Sequence, residues 1–355
     1  MKNKNRKINF IQAINEALIT TMTIDRNTIC YGLGVTDPKA VFGSTVGLEK
    51  KFGPLRVFDT PTSENALTGI GVGAALNGIK PIYNHQRLDF FLLSMDQLVN
   101  SAAKWHYMFG SKLSVPITFR LIIGKGWGQG PTHSQNLQAW FSHIPGLKVV
   151  MPSNPFDAKG LLISSIFDPN PVIFLEHRWL HNLEGYVPKK KFQVPIGKSK
   201  LINLGTDITV VSSSYLTIES IHAIYHLKKF NINCDLIDLR SIKPLDWNSI
   251  KRSVKKTGRL LVIDSGFSFG SVASEIISTI TQNHFNHLKC APQKLAMPDV
   301  PEPTSIALTK NFNLRADIII KKILKILNLK NNDILKSFSI PKYHDIPGDW
   351  FKGPF

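Results

Sequence analysis

Residues 115–123 read VPITFRLII and run directly into residues 124–133, GKGWGQGPTH. A nearly continuous apolar run of this length favours a strand buried on both faces, as in a parallel sheet. Four alternating glycines then give a backbone that can lie close against a ligand. Because ligands bind at the carboxyl ends of parallel strands, the two segments together predict an α/β fold with a candidate site in residues 124–133.

The same alternation of strand and helix patterns continues on both sides of this segment. We predict further strands at 28–33, 56–59, 80–83, 148–151 and 172–176, with helices that include 8–24, 64–76 and 92–108. A second series has strands at 208–212, 234–238 and 259–264, and its last helix ends near residue 329. The repetition is typical of two three-layer α/β domains, each built on a parallel or mixed sheet.

Composition suggests where the domains end. Residues 185–203 are rich in Pro and Lys and lack periodicity, so we interpret them as a linker between residues 1–184 and 204–329. Residues 330–355 form a tail with Trp350, Phe351 and Phe355 close to its end. Because a tail with large aromatics more often docks on a surface than floats, we expect it to pack.

The chain of 355 residues carries a formal net charge of +18. Such a charge is compatible with a nucleic-acid partner, but the sequence has no zinc-finger spacing, no RNP-like aromatic motif and no long basic arm. A surface rich in lysine explains the charge more simply, so a non-enzymatic nucleic-acid-binding protein stays a distant alternative.

Two further classes are excluded by pattern. No stretch approaches the roughly 20 apolar residues of a membrane span, and no apolar run follows the basic residues 1–10 as in a secretory signal. Cys30, Cys234 and Cys290 lie far apart, which argues against a disulfide framework or a zinc site. We therefore expect a cytoplasmic protein with no membrane partner.

Three short patterns invite a site and leave alternatives open. In residues 59–64, DTPTSE, Glu64 is either a carboxylate held at the edge of the sheet or part of a helix start capped by Thr62 or Ser63. His133 could move protons near neutral pH, or be incidental to a surface loop. His177 and His181 have i,i+4 spacing, but without an acidic neighbour a metal is disfavoured.

Gly69, Gly71 and Gly73 lie inside a helical pattern and not at a strand-to-helix turn. A dinucleotide fingerprint requires the turn, so we interpret these glycines as helix packing.

Eight segments, taken in order, resemble the β subunits of the pyruvate, branched-chain 2-oxo acid and acetoin dehydrogenase enzymes. The resemblance covers residues 8–327, and the segments that carry it are 59–64, 71–75, 96–104 (DQLVNSAAK), 133–135 (HSQ), 145–150 (PGLKVV), 157–160 (DAKG), 170–172 (NPV) and 238–246 (DLRSIKPLD). It implies a thiamine-diphosphate pyrimidine-binding domain followed by a transketolase-type C-terminal domain. The implied activity is oxidative decarboxylation of a 2-oxo acid, with acyl transfer to lipoamide or another acceptor.

The resemblance also implies roles for individual residues. Glu64 matches the glutamate that faces the aminopyrimidine of thiamine diphosphate and stabilises its imino tautomer, whose nitrogen removes the thiazolium proton. Phe90 matches the aromatic that packs on the ring, and Thr62 and Gln86 line the same pocket. His133 matches a histidine linked to substrate binding and acyl transfer. Ser165, Ile166, Asp168 and Asn170 match a loop that holds a monovalent cation, such as K⁺, in some relatives.

An absence predicts a partner. Thiamine enzymes hold the diphosphate and Mg²⁺ with a Gly-Asp-Gly motif, and none occurs in these 355 residues. The resemblance therefore implies an α subunit that binds the diphosphate and Mg²⁺, in an α₂β₂ heterotetramer with thiamine diphosphate shared at the interface.

Departures from the family bear on substrate and assembly. Residues 84–89, NHQRLD, replace a more acidic and aromatic segment, which leaves the identity of the 2-oxo acid open. The lysine-rich C-terminal end would repel the basic binding domain of a lipoyl acyltransferase core, so that partner is also open. A split transketolase-like ketol transferase remains the alternative enzyme.

Overall fold

The strands form two large sheets and one two-stranded ribbon. The ribbon pairs the first strand of the chain with the last strand of its N-terminal half. The structure is a computed structural model that describes residues 6–126, 128–329 and 332–353. Helices pack against both large sheets, and the predicted α/β class with mixed sheets is confirmed.

The first sheet has seven strands in the order β12-β6-β7-β5-β4-β2-β3. With strands numbered along the chain, they are β2 Thr28–Tyr31, β3 Val57–Phe58, β4 Lys80–His85, β5 Thr118–Ile123, β6 Lys148–Val150, β7 Val172–His177 and β12 Ser241–Lys243. All pairs are parallel except β12 with β6, so a strand from the second half of the chain closes this sheet.

The second sheet has five strands in the order β14-β13-β10-β11-β9. They are β9 Lys200–Asn203, β10 Ile208–Ser212, β11 Cys234–Asp238, β13 Leu260–Phe267 and β14 Gln293–Met297, and only β9 is antiparallel to its neighbour. The ribbon pairs β1 Lys7–Asn9 with β8 Glu184–Tyr186. Parts of the segment that we predicted as a linker therefore lie in strands.

Helices connect the strands. They are α1 Phe10–Ile24, α2 Leu48–Phe52, α3 Glu64–Leu76, α4 Leu88–Phe91, α5 Trp105–Met108, α6 Gln138–His143, α7 Pro155–Ile166, α8 Tyr215–Lys228, α9 Trp247–Thr257, α10 Val272–His284, α11 Ala316–Ile326 and α12 Asn332–Lys336. The continuous helix predicted for 92–108 is wrong. A 3₁₀ turn at Leu92–Ser94 and a π-helical segment at Gln97–Ala102 interrupt it. In the π-helical segment Ala103 N donates to Leu98 O, five residues earlier in the chain.

Strand β5 is buried along its whole length, as the sequence predicts. Its charged residue, Arg120, forms an ion pair with Glu176 of β7, with 2.6 Å between Nη2 and Oε1, and donates from Nη1 to Asn84 of β4 at 2.7 Å. A buried charge is costly unless it is paired, so this network allows an arginine inside the sheet.

The described part of the tail docks, as expected from Trp350 and Phe351, and Phe355 lies outside the described residues. Trp350 Nε1 and Gly348 N both donate to Glu219 Oε1 on α8, at 2.7 and 2.8 Å. Phe351 packs on Trp179 with ring centres 6.3 Å apart. Since Trp179 follows β7 and Glu219 lies beyond β10, the tail contacts both halves of the molecule.

Within the described ranges, no helix is both long and apolar enough to cross a membrane. The same part of the chain contains no group of three or more His, Cys, Asp or Glu side chains placed to hold a metal.

Candidate active site

The site residues predicted from the sequence follow three strands that end at one edge of the first sheet. Strands β3, β4 and β5 are parallel, so the segments after them, 59–64, 86–90 and 124–133, emerge on the same side. The fold thus brings together pieces that are up to about seventy residues apart in sequence.

Glu64 is the first residue of α3, where the helix dipole favours a negative charge. Its backbone oxygen accepts from Thr68 Oγ1 at 2.8 Å and from Ser94 Oγ at 3.0 Å, which fixes the start of the helix. Among the described residues, no hydrogen bond or ion pair engages its half-buried carboxylate. Burial and, to a smaller extent, the nearby Glu64 carboxylate raise the pKa of Tyr83.

The capping alternative for residues 59–64 is not supported by the geometry. Ser63 occupies the N-cap position, yet its side chain makes no capping hydrogen bond. Asp59 instead accepts from Gly34 N at 2.8 Å and from Thr60 N at 2.7 Å, so it ties the loop to the segment after β2. Thr62 is exposed beside it.

Phe90 and His133 meet although they lie on different loops. Phe90 is 38% exposed in α4, and its ring contacts the His133 ring edge-on with 5.4 Å between centres. His133 Nδ1 is 3.0 Å from Thr132 Oγ1. Asp89 accepts from Gln135 Nε2 at 2.9 Å, so the two loops are also joined behind the rings.

Gln86 lies at the end of β4, between these loops and the segment after β2. Its Nε2 donates to Leu33 O at 3.2 Å. A Cβ at Gly34 would lie 2.3 Å from that nitrogen, and Gly34 has φ +77°, so only glycine fits there. Gln86 is therefore held with its amide nitrogen against residues 33 and 34, in the segment after β2.

The described residues of the glycine-rich loop, 124–126 and 128–133, are enclosed from two sides. Gly124 has φ +84°, and a Cβ there would lie 2.3 Å from the His177 ring. On the other side Lys125 Nζ donates to Pro303 O at 2.7 Å, and Thr304 Oγ1 lies against Gly130. The second half of the chain therefore closes over this loop.

Glu302 carries a buried carboxyl group, and no sequence pattern marked it as a site residue. Burial raises its pKa to about 7, with the Lys125 charge opposing that shift. Its only sequence signal is its place between two prolines, which predicts an extended segment and nothing about burial.

Two patterns are structural. A Cβ at Gly71 would lie 2.3 Å from Tyr31 Oη and 2.8 Å from Ile117 Cδ1, so this glycine of the α3 run allows close packing, as predicted. His177 and His181 are buried, and burial lowers the pKa of both, to about 3 for His177. Neither belongs to a metal cluster among the described residues.

The predicted cation loop lies at the opposite end of the sheet from Glu64. Asp168 Oδ2 forms an ion pair with Lys148 Nζ at 2.5 Å, Asp168 Oδ1 accepts from Asn170 N, and Asp168 N donates to Ser165 O. A cation there would depend on the backbone oxygens of Ser165, Ile166 and Asn170 and compete with the Lys148 ammonium. The site stays a prediction.

Comparison with known proteins decides the family. Residues 6–182 match the transketolase pyrimidine-binding domain, and residues 197–319 match the transketolase C-terminal domain. The chain is 39% identical over 313 residues to the acetoin:2,6-dichlorophenolindophenol oxidoreductase subunit beta of Cupriavidus necator, covering 85% of this chain and 92% of the relative. It is 40% identical over 299 residues to the pyruvate dehydrogenase E1 component subunit beta of Rickettsia bellii, covering 84% and 92%.

The chain belongs to the β-subunit family of thiamine-diphosphate-dependent 2-oxo acid dehydrogenases. The resemblance drawn from eight motifs is thereby confirmed, and so is the domain order of a pyrimidine-binding domain before a transketolase C-terminal domain. The family consists of oxidoreductase subunits, and its domains imply dependence on thiamine diphosphate.

A solved structure shows the same fold in a more distant protein. The chain superposes on "Split gene transketolase, inactive beta4 tetramer" with a TM-score of 0.75, covering 91% of this chain and 99% of that one. At 17% identity, this likeness shows that the β-subunit family and a split transketolase share a fold and says nothing of substrate.

Proposed function

We propose that this β subunit supplies the aminopyrimidine half of an active site for oxidative decarboxylation of a 2-oxo acid, with acyl transfer to lipoamide or another acceptor. One observation carries the proposal: the carboxylate of Glu64 has no partner among the described residues, and it begins a helix at the same sheet edge as the exposed Phe90 ring and His133.

These residues fit the aminopyrimidine of thiamine diphosphate. The ring needs an apolar face and polar groups around its edge, which Phe90 on one side and Glu64, Gln86 and Thr62 on the other would provide. Thr60 and His85 are close in sequence to Glu64 and Gln86. Their Oγ1 and Nε2 atoms are buried without a hydrogen-bond partner among the described residues, as expected where a polar ligand completes the site. When bound, thiamine diphosphate supplies the nucleophilic carbon and the electron sink for decarboxylation.

Each side chain has a distinct task in this proposal. Glu64 holds a proton at the aminopyrimidine edge and sets the tautomer of the ring. His133 faces the substrate and moves a proton during binding and acyl transfer, for which an imidazole is suited near neutral pH. Phe90 orients His133 through the edge-on contact between their rings.

We infer that the diphosphate and Mg²⁺ are held by an α subunit in an α₂β₂ assembly, because the 355 residues contain no Gly-Asp-Gly motif. Exposed apolar side chains support a partner surface. Trp140, 56% exposed, and Phe269, 87% exposed, line a cleft of about 480 Å³ together with Met95. Patches of this kind on a soluble protein mark interaction sites.

Three further assignments belong to this proposal. The enzyme works in the cytoplasm, a monovalent cation such as K⁺ binds the loop of Ser165, Ile166, Asp168 and Asn170, and a lipoyl acyltransferase core accepts the acyl group if the lysine-rich C-terminal face permits docking.

The deciding experiment is calorimetric titration of thiamine diphosphate with Mg²⁺ into the purified α/β pair and into each chain alone. We expect binding by the pair and none by the β chain alone. Binding by the β chain alone would contradict the shared site, and so would a failure of the α/β pair to bind. Product analysis of the loaded pair with pyruvate and with sugar phosphates then separates a dehydrogenase from a split ketol transferase. Retention of duplex DNA at 0.15 M salt would revive the nucleic-acid alternative.

A further inference from the structure

The loop that carries His133 has little stiffness of its own. Gly124, Gly126, Gly128 and Gly130 alternate along it, and Gly124 and Gly128 have φ of +84° and +68°. Glycine has more conformational freedom than any other residue, so contacts from elsewhere must select one conformation. The position of His133 therefore depends on what holds residues 124–130.

Arg87 makes the contacts on the first half of this loop. Its side chain is only 3% exposed, and Nη1 donates to Gly124 O at 2.9 Å while Nη2 donates to Gln129 Oε1. Gln129 Oε1 also accepts from Gly126 N at 3.0 Å, and Gln129 N donates to Gly126 O at 3.2 Å. Arg87 and Gln129 thus close a ring of hydrogen bonds around Gly126, which we call the loop brace.

The brace requires glycine at its centre. A Cβ at Gly126 would lie 2.6 Å from Gln129 Oε1 and 3.1 Å from Arg87 Nη2, although the φ of Gly126 is not in the left-handed region. The demand for glycine at this position is therefore one of space and not of backbone conformation. It shows that the amide of Gln129 and the guanidinium of Arg87 are packed directly on the loop backbone.

The guanidinium of Arg87 keeps its charge in this setting. Burial, with a smaller effect of the Arg178 charge, lowers the pKa of Arg87 to about 10, so the group stays protonated at neutral pH. Its centre lies 6.0 Å from the Phe42 ring, a cation–π contact that helps to hold it. Hydrogen bonds from a charged donor are stronger than neutral ones, so the brace resists opening.

The position of Arg87 in the chain couples the loop to the cofactor side of the site. Arg87 is the residue after Gln86 and lies three residues before Phe90, against which His133 rests. A shift of the loop would separate the two rings, and misplacement of a catalytic group by about 1 Å can cost about 100-fold in rate.

We propose that Arg87 is a positioning residue, which acts through Gln129 and the backbone of Gly124 and Gly126 to hold the glycine-rich loop so that His133 stays against Phe90. The catalytic part of this inference rests on the proposed function; the structural part does not.

The first test measures deuterium uptake of a peptide spanning residues 124–130 in the full-length chain. We expect Arg87→Gln and Gln129→Leu each to speed its exchange at least tenfold, and the double variant to equal the single ones, because either change opens the same ring. Arg56→Gln is the matched control. Arg56 donates to Met22 O, Asp25 O and Thr28 O at the far side of the sheet, so its loss should leave this peptide unchanged.

The second test measures kinetics of the α/β pair. We expect Arg87→Gln and Gln129→Leu to lower kcat by about 10- to 100-fold while thiamine diphosphate affinity stays within about twofold, since the brace sets His133 and not the cofactor pocket. Gln129→Glu keeps the acceptor oxygens, so it should retain most of the rate. A general loss of stability in Gln129→Leu would instead lower the midpoint of thermal unfolding together with kcat.

Two results would overturn the inference. Unchanged exchange of residues 124–130 in both single variants would show that the brace does not hold the loop. Faster exchange with an unchanged kcat would show that it does not position His133. If Arg87→Gln fails to fold, Gln129→Leu carries both tests. A pair without any thiamine-dependent activity would refute the proposed function instead, and the exchange result would still decide the brace.

Discussion

The carboxyl edges of the two sheets are built alike and used differently. At the first sheet, Glu64 presents a carboxylate that no described residue engages, next to the exposed Phe90 ring. At the second, Asp264 of β13 accepts from Gln138 Nε2, Gly266 N and Ala273 N, at 2.5, 2.9 and 3.2 Å. Asp238, at the end of β11, accepts from Ser153 and from Arg240 N.

The contrast separates a ligand site from a structural joint. Gln138 and Ser153 come from the first half of the chain, so the carboxylates of the second edge bind the two halves to each other. A carboxylate that the chain itself saturates has no capacity left for a ligand, whereas an unsaturated one at the same place in the fold is available to one.

The largest effect is expected for Glu64→Gln. The amide cannot exchange a proton at the aminopyrimidine edge, so thiamine-dependent decarboxylation by the α/β pair should fall by about 10³-fold or more. Since no described residue bonds the carboxylate, the midpoint of thermal unfolding should move by no more than about 1 °C. Steady-state assays and thermal unfolding of the same preparation check both statements.

Near-normal activity of Glu64→Gln would remove Glu64 from the active site. A large loss of stability would instead give Glu64 a structural role, like that of the carboxylates at the edge of the second sheet. Asp299→Asn, at an exposed position far along the chain, is the control for a change of charge alone.

The second prediction concerns Asp264→Ala. Truncation leaves the N–H groups of Gly266 and Ala273 buried without an acceptor, and each such group costs about 1–3 kcal/mol. The Gln138 amide loses its shorter bond and keeps the one to Ser265 Oγ at 3.2 Å. We expect the free energy of unfolding to fall by about 3 kcal/mol, measured by urea denaturation of the isolated chain. Asp299→Ala should change it by less than about 0.5 kcal/mol. Equal values for the two variants would contradict the role of Asp264 as a joint.

The strands and loops at the carboxyl edge of the first sheet could be predicted from the sequence, because apolar runs indicate central strands and glycine-rich segments indicate the loops after them. Strand β14 was missed because four of its five residues are only partly buried, so it lacks an apolar run. Strands β9 and β12 are short and lie at sheet edges, one within the predicted linker. Arg87 and Glu302 could not be selected, since their importance arises from groups that only the fold brings to them.

The third prediction is a pH dependence at the second edge. Burial, together with the charge of Asp157, raises the pKa of Asp238 to about 7. The folded state therefore binds a proton more tightly than the unfolded state, and the stability this provides is complete below about pH 4 and lost as pH rises through 7. Asp238→Asn removes this dependence, so its stability relative to the wild-type chain should rise between pH 5 and pH 8.

Denaturation of the wild-type and Asp238→Asn chains at pH 5 and at pH 8, repeated at 0.5 M salt, measures this change in relative stability. A burial effect persists in salt, whereas repulsion between exposed charges is screened. A stability difference that does not change with pH would mean that Asp238 is ionised throughout.

The smallest effects are expected in α3, behind Glu64, and they test whether its glycines serve packing or a ligand. Alanine at 71 would press on Tyr31 and Ile117, so Gly71→Ala should cost about 1–3 kcal/mol. Gly73 has no atom within 4 Å of its would-be Cβ, so Gly73→Ala should stabilise the isolated chain by about 0.5–1 kcal/mol through helix propensity. If the glycines only pack, urea denaturation should show that the free energy of unfolding falls in Gly71→Ala and rises in Gly73→Ala. Loss of thiamine diphosphate affinity in the α/β pair with Gly73→Ala, without loss of stability, would instead place that face of the helix at the ligand or at the α subunit, and would extend the open edge of the first sheet beyond Glu64.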